Sequence, residues 1–185
     1  ESLASDLAAA VTSQLDDRME LHNEYGPTEA VVGCVAHRYE AAKDTDERVP
    51  IGAPADHVTV ELLNEAVTPV PQGVPGELWV SRHGLARGYL NRAALTAERF
   101  VANPFGQGRL YKTGDLVRYL KDSNLGFLGR IDDQVKIRGY RVELGEVEVA
   151  LNQHRQIREA VAMVKATAGR EPRLVAYYVP QEGTA

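Results

Sequence analysis

Val58-Thr59-Val60-Glu61-Leu62 and, further on, Glu77-Leu78-Trp79-Val80 alternate at period two, the pattern of strands with one buried face. Between them Pro69, Pro71, Gly73, Pro75 and Gly76 supply turns, and Gly84 and Gly88 punctuate the next stretch of chain. Leu116 to Leu120, the turn-forming run Lys121-Asp122-Ser123-Asn124-Leu125-Gly126 and then Phe127 to Gly129 read as a hairpin. One short helix is expected near Ala93 to Phe100. Several strands without intervening helices predict a small barrel or sandwich-like sheet between Ile51 and Arg130.

The flanks have a different texture. Residues 1–17 read as a helix, with Leu3, Leu7, Ala10, Val11 and Gln14 at helical spacing. A strand is expected at Met19 to His22, and another at Val31 to Val35. Between them Gly26-Pro27 breaks regular structure, so Asn23 to Glu29 reads as a loop. Ala41 to Pro50 is charged and turn-rich. Beyond Arg130, the polar Asp132-Asp133-Gln134 could be a hinge, and Gly139 interrupts a strand-like Val135 to Arg138. Leu144, Val147, Ala150 and Leu151 fall on one face of a helix over Glu143 to His154. Strands are expected at Ala160 to Val164 and Leu174 to Val179. This last α+β piece would bury little surface alone, which suggests truncation, as does the lack of Met at position 1.

Composition narrows the function classes. The 185 residues are 44% hydrophobic and 25% charged, which fits a soluble globular chain and not a disordered acidic tail. No apolar run approaches the roughly 18 residues of a membrane span. A net charge of -5, from 21 basic and 26 acidic residues, gives no electrostatic case for nucleic acid. The single cysteine, Cys34, excludes an internal disulfide and a cysteine-rich zinc site, and a reducing, cytoplasmic setting fits. His22, His37, His57, His83 and His154 have no metal-ligand spacing.

Three segments carry residues suited to a nucleotide. In Tyr25-Gly26-Pro27-Thr28-Glu29, Gly26 allows close backbone approach, Thr28 offers a hydroxyl, Tyr25 a flat face, and Glu29 a hard oxygen for Mg²⁺. From composition alone, a turn with a capping Thr and a solvated Glu is the weightier reading. In Tyr111-Lys112-Thr113-Gly114-Asp115-Leu116, Asp115 could accept two hydrogen bonds from a vicinal diol. Taken alone, a β-turn describes it better. Around Gly129 to Arg141, the basic residues Lys112, Arg130, Lys136, Arg138 and Arg141 could balance phosphate charge, or lie on a solvated strand face.

The order of these signals says more than each alone. Asn23 to Glu29, then Gly76 to Val80 with Gly84-Leu85-Ala86-Arg87-Gly88-Tyr89-Leu90, then Tyr111 to Leu116, Gly129 to Glu148 and Leu174 to Val179 together resemble the adenylation domains of nonribosomal peptide synthetases. These belong to the adenylate-forming ligase superfamily. The resemblance runs from about residue 15 onward. Acyl and aryl acid ligases are the nearest rivals, but Arg141 to Glu146 lacks the Pro usual in acyl-CoA synthetases. Asn23 and Pro27 also favour the amino-acid branch. A non-catalytic remnant or interaction module is the other alternative.

The resemblance implies an α+β architecture in three parts. Residues 1–50 would end a large α/β subdomain, 51–131 would form a β-barrel-like subdomain, and 132–185 a truncated, mobile α+β C-terminal subdomain. It implies ATP-dependent activation of an amino acid as aminoacyl-AMP, with Mg²⁺, and transfer to the phosphopantetheine thiol of a carrier protein domain, beside a condensation domain. By position, Asn23 would hydrogen-bond adenine, Tyr25 stack on it and Gly26 lie close by. Thr28 would touch the α-phosphate and Glu29 hold Mg²⁺. Asp115 and Arg130 would meet the ribose, with Phe127 near the nucleoside. Asp132 would be the hinge, and Lys136 and Gly139 would lie on the loop used in the thioester-forming state. Glu24, Val32 and Gly33 fall at substrate-pocket positions, a trio common in asparagine-activating pockets with a near variant in tyrosine-activating ones, and Glu24 could accept from a carboxamide or a phenol. The family's phosphate loop would lie upstream and its catalytic lysine downstream, so the fragment alone is expected to be inactive.

Overall fold

The computed structural model describes residues 2–16, 18–167 and 170–181. The chain divides into two compact units, with the boundary between Ile131 and Asp132.

The first unit opens with helix α1 (Ser5–Thr12) and a small antiparallel sheet of β1 (His22–Tyr25), β2 (Val35–Arg38) and β3 (Ala53–Pro54). A short 3₁₀ turn, Thr28–Ala30, joins β1 to β2. Five further strands form the larger sheet: β4 (Val58–Leu63), β5 (Gly76–Arg82), β6 (Phe100–Ala102), β7 (Arg109–Tyr119) and β8 (Leu125–Arg130). Helix α2 (Ala93–Arg99) precedes β6. The strands run antiparallel in the order β4, β5, β7, and the short β6 and β8 follow one another along the outer edge of β7.

This sheet is open and does not close into a barrel, though the α+β class is as expected. β8 is extended on its far side by Gly52, not by β4. Gly52 and Leu125 exchange backbone hydrogen bonds of 3.3 and 2.7 Å. The two sheets share one core of Val35, Ile51, Val60, Leu62, Leu78, Val80, Val117 and Leu125. The period-two pattern works as expected: Leu78 and Val80 face this core, and Trp79 between them packs with Leu63 and Leu110 in a second cluster. Each such burial is worth about 1.5–3 kcal/mol.

The N-terminal segment departs from expectation. The helix stops at Thr12, where the Thr12 and Ser13 hydroxyls donate to the carbonyls of Ala8 and Ala10, each at 2.8 Å. The strand expected at Met19 to His22 lies three residues later, at His22–Tyr25. Its polar residues pair with β2, so long-range ladder bonds override the loop-like composition of Asn23 to Tyr25. Val31 and Val32, expected in a strand, have φ of 59° and 40°. They form the exposed bend after the 3₁₀ turn, and the strand begins at Val35.

The second unit contains β9 (Gln134–Ile137), β10 (Tyr140–Glu143), helix α3 (Leu144–Asn152), β11 (Ile157–Thr167) and β12 (Arg170–Pro180). β9 and β10 form a hairpin whose two-residue turn, Arg138-Gly139, has φ of 52° and 80°, as a tight twisted turn requires. β11 and β12 are longer than expected because they pair with each other nearly throughout. α3 is fastened to β11 where the Ala162 N–H donates to Glu148 Oε1 at 2.8 Å.

Candidate functional site

Asp115 and Arg130 are direct cross-strand partners on β7 and β8, so sheet register alone sets the guanidinium beside the carboxylate. Arg130 Nη1 donates to Asp115 Oδ1 at 2.9 Å and to the Thr113 carbonyl at 3.0 Å. Tyr25, at the end of β1, donates its hydroxyl to Asp115 Oδ2. Asp115 is 7% exposed, and its carboxylate lies between a cation and a phenol. Burial, and then the negative charge of Asp115, push the Tyr25 hydroxyl well above its ordinary pKa, so it remains a donor. Thr113-Gly114, expected as a β-turn, is instead a register irregularity within β7, with Gly114 at φ of 74°, and contacts to β5 fix it. Thr113 Oγ1 donates to the Leu78 carbonyl at 2.6 Å and accepts from the Asp115 N–H at 3.0 Å, and the Gly114 N–H donates to Glu77 Oε1 at 3.1 Å. Phe127, also on β8, is partly buried against the main core.

β1 presents the remaining residues of the first motif. The Asn23 amide donates to the Pro50 carbonyl at 2.8 Å, which ties β1 to the segment leading into β3. Gly26 makes a close approach, but to the chain itself: a Cβ there would lie 2.6 Å from the Gly33 nitrogen. Only glycine fits. The Glu24 carboxylate sits beside Gly33, 3.3 Å from where a Cβ would stand. Val32 is 62% exposed at the same bend.

Thr28 and Glu29 open the 3₁₀ turn, Thr28 exposed and Glu29 buried. The turn is held from two sides. Arg82 Nη1 donates to the Ala30 carbonyl at 3.1 Å, and the Ala86 N–H donates to the Glu29 carbonyl at 2.8 Å. Tyr89 OH donates to Glu29 Oε1 at 2.7 Å and lies 3.2 Å from the Tyr111 hydroxyl. Burial chiefly, then these neighbours, raise the Tyr89 pKa. Among the described residues no group of three or more His, Cys, Asp or Glu could hold a metal. One carboxylate nevertheless fits Mg²⁺, which takes one or two carboxylates and fills its shell with water and nucleotide phosphate oxygens.

In the second unit Lys136 is exposed on β9, Gly139 is in the hairpin turn, and Asp132 Oδ1 accepts from the Gln134 N–H at 3.4 Å. Cys34 is fully buried, with its thiol pushed up to about 11 by that burial, as expected of a small hydrophobe. A cleft of about 1080 Å³ lies elsewhere, lined by Arg38, Asp44, Arg48, Tyr119 and Lys121, and none of the site residues named above lines it.

The structure thus joins Tyr25, Asp115 and Arg130, and separately brings Glu24 to Gly33. Sequence reasoning gave no role to Tyr89, Tyr111, Thr113 or Glu77. The contacts that place them span 60, 22, 35 and 37 positions, beyond the reach of any local pattern. Their only signal was membership of the quoted motifs.

Known proteins resemble this chain in sequence and in fold. The family described as "AMP-binding enzyme" matches residues 1–90. Tyrocidine synthase 3 of Brevibacillus parabrevis is 44% identical over 182 residues, covering 98% of this chain and 3% of that protein. The structure of PA1221, a nonribosomal peptide synthetase protein containing adenylation and PCP domains, superposes with a TM-score of 0.85 at 30% identity. That match covers 100% of this chain and 38% of the other. The Vibrio cholerae adenylation domain AlmE, solved in complex with glycyl-adenosine-5'-phosphate, superposes with a TM-score of 0.82 at 31% identity, covering 96% of this chain and 34% of AlmE. The chain therefore spans about a third of these solved relatives and a much smaller share of the tyrocidine synthase.

Proposed function

The chain belongs to the AMP-binding enzyme family, among the adenylation domains of nonribosomal peptide synthetases, and on that premise we propose that it supplies the nucleoside-binding part of an amino-acid-activating site. In the reaction, an amino-acid carboxylate oxygen attacks the α-phosphorus of ATP and pyrophosphate leaves. The aminoacyl group then passes to the phosphopantetheine thiol of a carrier domain, releasing AMP.

The observation that carries this reading is the Asp115 carboxylate, buried between Arg130 and Tyr25. A fixed acceptor of that kind suits the vicinal hydroxyls of ribose, and its orientation is set before ligand arrives. Asn23 and Tyr25 then serve adenine, with Gly26 keeping the first motif close-packed and Phe127 bordering the nucleoside. Thr28 contacts the α-phosphate. Glu29 holds Mg²⁺, which offsets phosphate charge. The compact-unit boundary beside Asp132 supports a hinge there, and the exposed Lys136 and the Gly139 turn support a loop that serves the thioester-forming state. The nearness of Glu24 to Gly33 supports a shared pocket rim, with asparagine as the substrate, its carboxamide donating to Glu24.

An NMR titration with AMP and with a non-hydrolysable asparaginyl-adenylate mimic tests this. Saturable shifts at Tyr25, Asp115 and Arg130, lost in Asp115→Ala, are expected, with the asparaginyl compound binding more tightly than AMP. Shifts that survive Asp115→Ala would remove Asp115 from the site. Equal affinity for the two ligands would remove the asparagine assignment.

A further inference from the structure

Glu29 does not hold its carboxylate in place unaided. The segment after β5, Gly84-Leu85-Ala86-Arg87-Gly88-Tyr89-Leu90, carries Tyr89 to it, and several separate contacts fix that segment. The Ala86 N–H binds the Glu29 backbone carbonyl at 2.8 Å. Arg109, from β7, donates to the carbonyls of Ala86 and Arg87 at 2.9 and 3.0 Å, and its guanidinium lies 5.3 Å from the centre of the Phe100 ring. Thr96 Oγ1, on α2, accepts the Tyr89 N–H at 2.9 Å. Gly88 has φ of 148°, and a Cβ there would stand 2.3 Å from Thr96 Cγ2, so glycine is required for the helix to come this near. The Tyr89 ring meets Phe100 edge-on with centroids 5.5 Å apart, and Phe100 meets Tyr111 at 4.9 Å. All of this converges on one hydroxyl, which donates to Glu29 Oε1 at 2.7 Å.

We propose that Tyr89 is a positioning residue, whose hydroxyl orients the Glu29 carboxylate toward the divalent cation that accompanies the nucleotide. The proposal rests on the reading of Glu29 as the magnesium-side carboxylate. A ligating carboxylate gains direction from a hydrogen-bond donor behind it, and loss of such a donor costs on the order of 10-fold or more in metal affinity. Leu90, the next residue, is 89% exposed, so the fixed part of the segment ends at Tyr89.

The test compares wild type, Tyr89→Phe and Glu29→Gln in the complete adenylation domain that carries this chain. Mn²⁺ affinity is read by electron paramagnetic resonance with a non-hydrolysable ATP analogue bound. Amino-acid-dependent ATP–pyrophosphate exchange is measured across Mg²⁺ concentrations. Tyr89→Phe keeps the ring contact with Phe100 and removes the hydroxyl alone. The expected result is a rise of about 10-fold in the Mn²⁺ dissociation constant and in half-saturating Mg²⁺, with the KM for amino acid unchanged. If Glu29→Gln abolishes Mn²⁺ binding while Tyr89→Phe matches wild type, the positioning role falls and the reading of Glu29 stands. If Tyr89→Phe raises the amino-acid KM as much as the metal constants, its role is general packing and the proposal is overturned. If Glu29→Gln binds Mn²⁺ as wild type does, the reading of Glu29 falls and the proposal with it.

Discussion

In the first unit the charged side chains of the candidate site are set against a filled core, whereas in the second the corresponding motif lies on a hairpin with little behind it. Asp115 and Glu29 are 7% and 8% exposed, and each has a named donor far along the chain, Arg130 on β8 for Asp115 and Tyr89 in the segment after β5 for Glu29. Beneath them Leu78, Val80, Leu110, Tyr111 and Val117 are fully buried. In the second unit Ala160, Ala162 and Gln134 are the buried residues among those described, while Tyr140, Tyr177, Tyr178 and Val149 are more than half exposed. The buried Gln134 donates its amide to Oε1 of the exposed Glu143 at the open end of the hairpin. The difference fits the two tasks proposed for them: groups proposed to present fixed charge are enclosed and partnered, while the loop proposed to serve the thioester-forming state keeps few commitments.

Core truncation should separate the two units most sharply. Leu78→Ala should cost about 2–5 kcal/mol, because the removed atoms leave a cavity between two sheets. Val161→Ala, at a position 52% exposed on β11, should cost roughly 0.5 kcal/mol or less. Trp79 is the sole tryptophan and is buried in the first unit, so its fluorescence follows urea unfolding there. A Leu78→Ala effect below about 1 kcal/mol would mean that this core is far looser than its burial implies.

Alkaline pH should produce a smaller effect, to which Tyr25 contributes alongside Tyr89, Tyr119 and Cys34, all raised in the first unit. The Tyr25 hydroxyl is raised well above its ordinary value, first by burial and then by Asp115. Below pH ~10 both folded and unfolded chains keep this proton. Above it the unfolded chain loses the proton and the folded chain retains it, so stability falls with rising pH, by up to about 1.4 kcal/mol per unit. Tyr25→Phe should remove that contribution while lowering stability at neutral pH, since Asp115 loses a donor. Urea midpoints measured at successive pH values check this. An unchanged alkaline slope in Tyr25→Phe would place the titrating group elsewhere.

The sequence disclosed these features unevenly, and the reason is range. Period two in Val58 to Leu62 and Glu77 to Val80 reports which face meets a core, and those strands lie where the pattern put them. Asp115 and Arg130 could be singled out separately, but only their register, fifteen positions apart on neighbouring strands, makes them a pair. Asn23 to Tyr25 looked like loop because polar residues seldom build a strand without partners, and the partner, β2, begins ten residues on. Val31 and Val32 misled in the opposite sense. β-Branched residues favour strands, yet both lie exposed at positive φ in a bend closed by local backbone hydrogen bonds to Thr28 and Pro27. Tyr89 left no trace beyond its place in the Gly84–Leu90 motif, since its partner is sixty residues earlier.

The finest distinction between the units is between two glycines. At Gly26 an added Cβ would stand 2.6 Å from the Gly33 nitrogen and 2.9 Å from that of Cys34, both backbone atoms of the bend leading into β2. No side-chain rotation relieves such a clash, so Gly26→Ala must move β1 away from β2 and carry Tyr25 off Asp115. At Gly139 an added Cβ meets nothing within 4 Å, and the whole cost is that of holding an L-residue at φ of 80°. That cost is about 1 kcal/mol, and Gly139→Asn should cost less, because Asn tolerates the left-handed region. Amide hydrogen exchange distinguishes the cases. Gly139→Ala should speed exchange along Gln134–Ile137 and Tyr140–Glu143 by roughly fivefold, the equivalent of that 1 kcal/mol. Gly26→Ala should speed exchange along both β1 and β2 by more, and should weaken AMP binding. If the two substitutions loosen their neighbourhoods equally, then backbone crowding in the first unit contributes no more than a strained turn in the second, and the contrast in packing does not extend to the site.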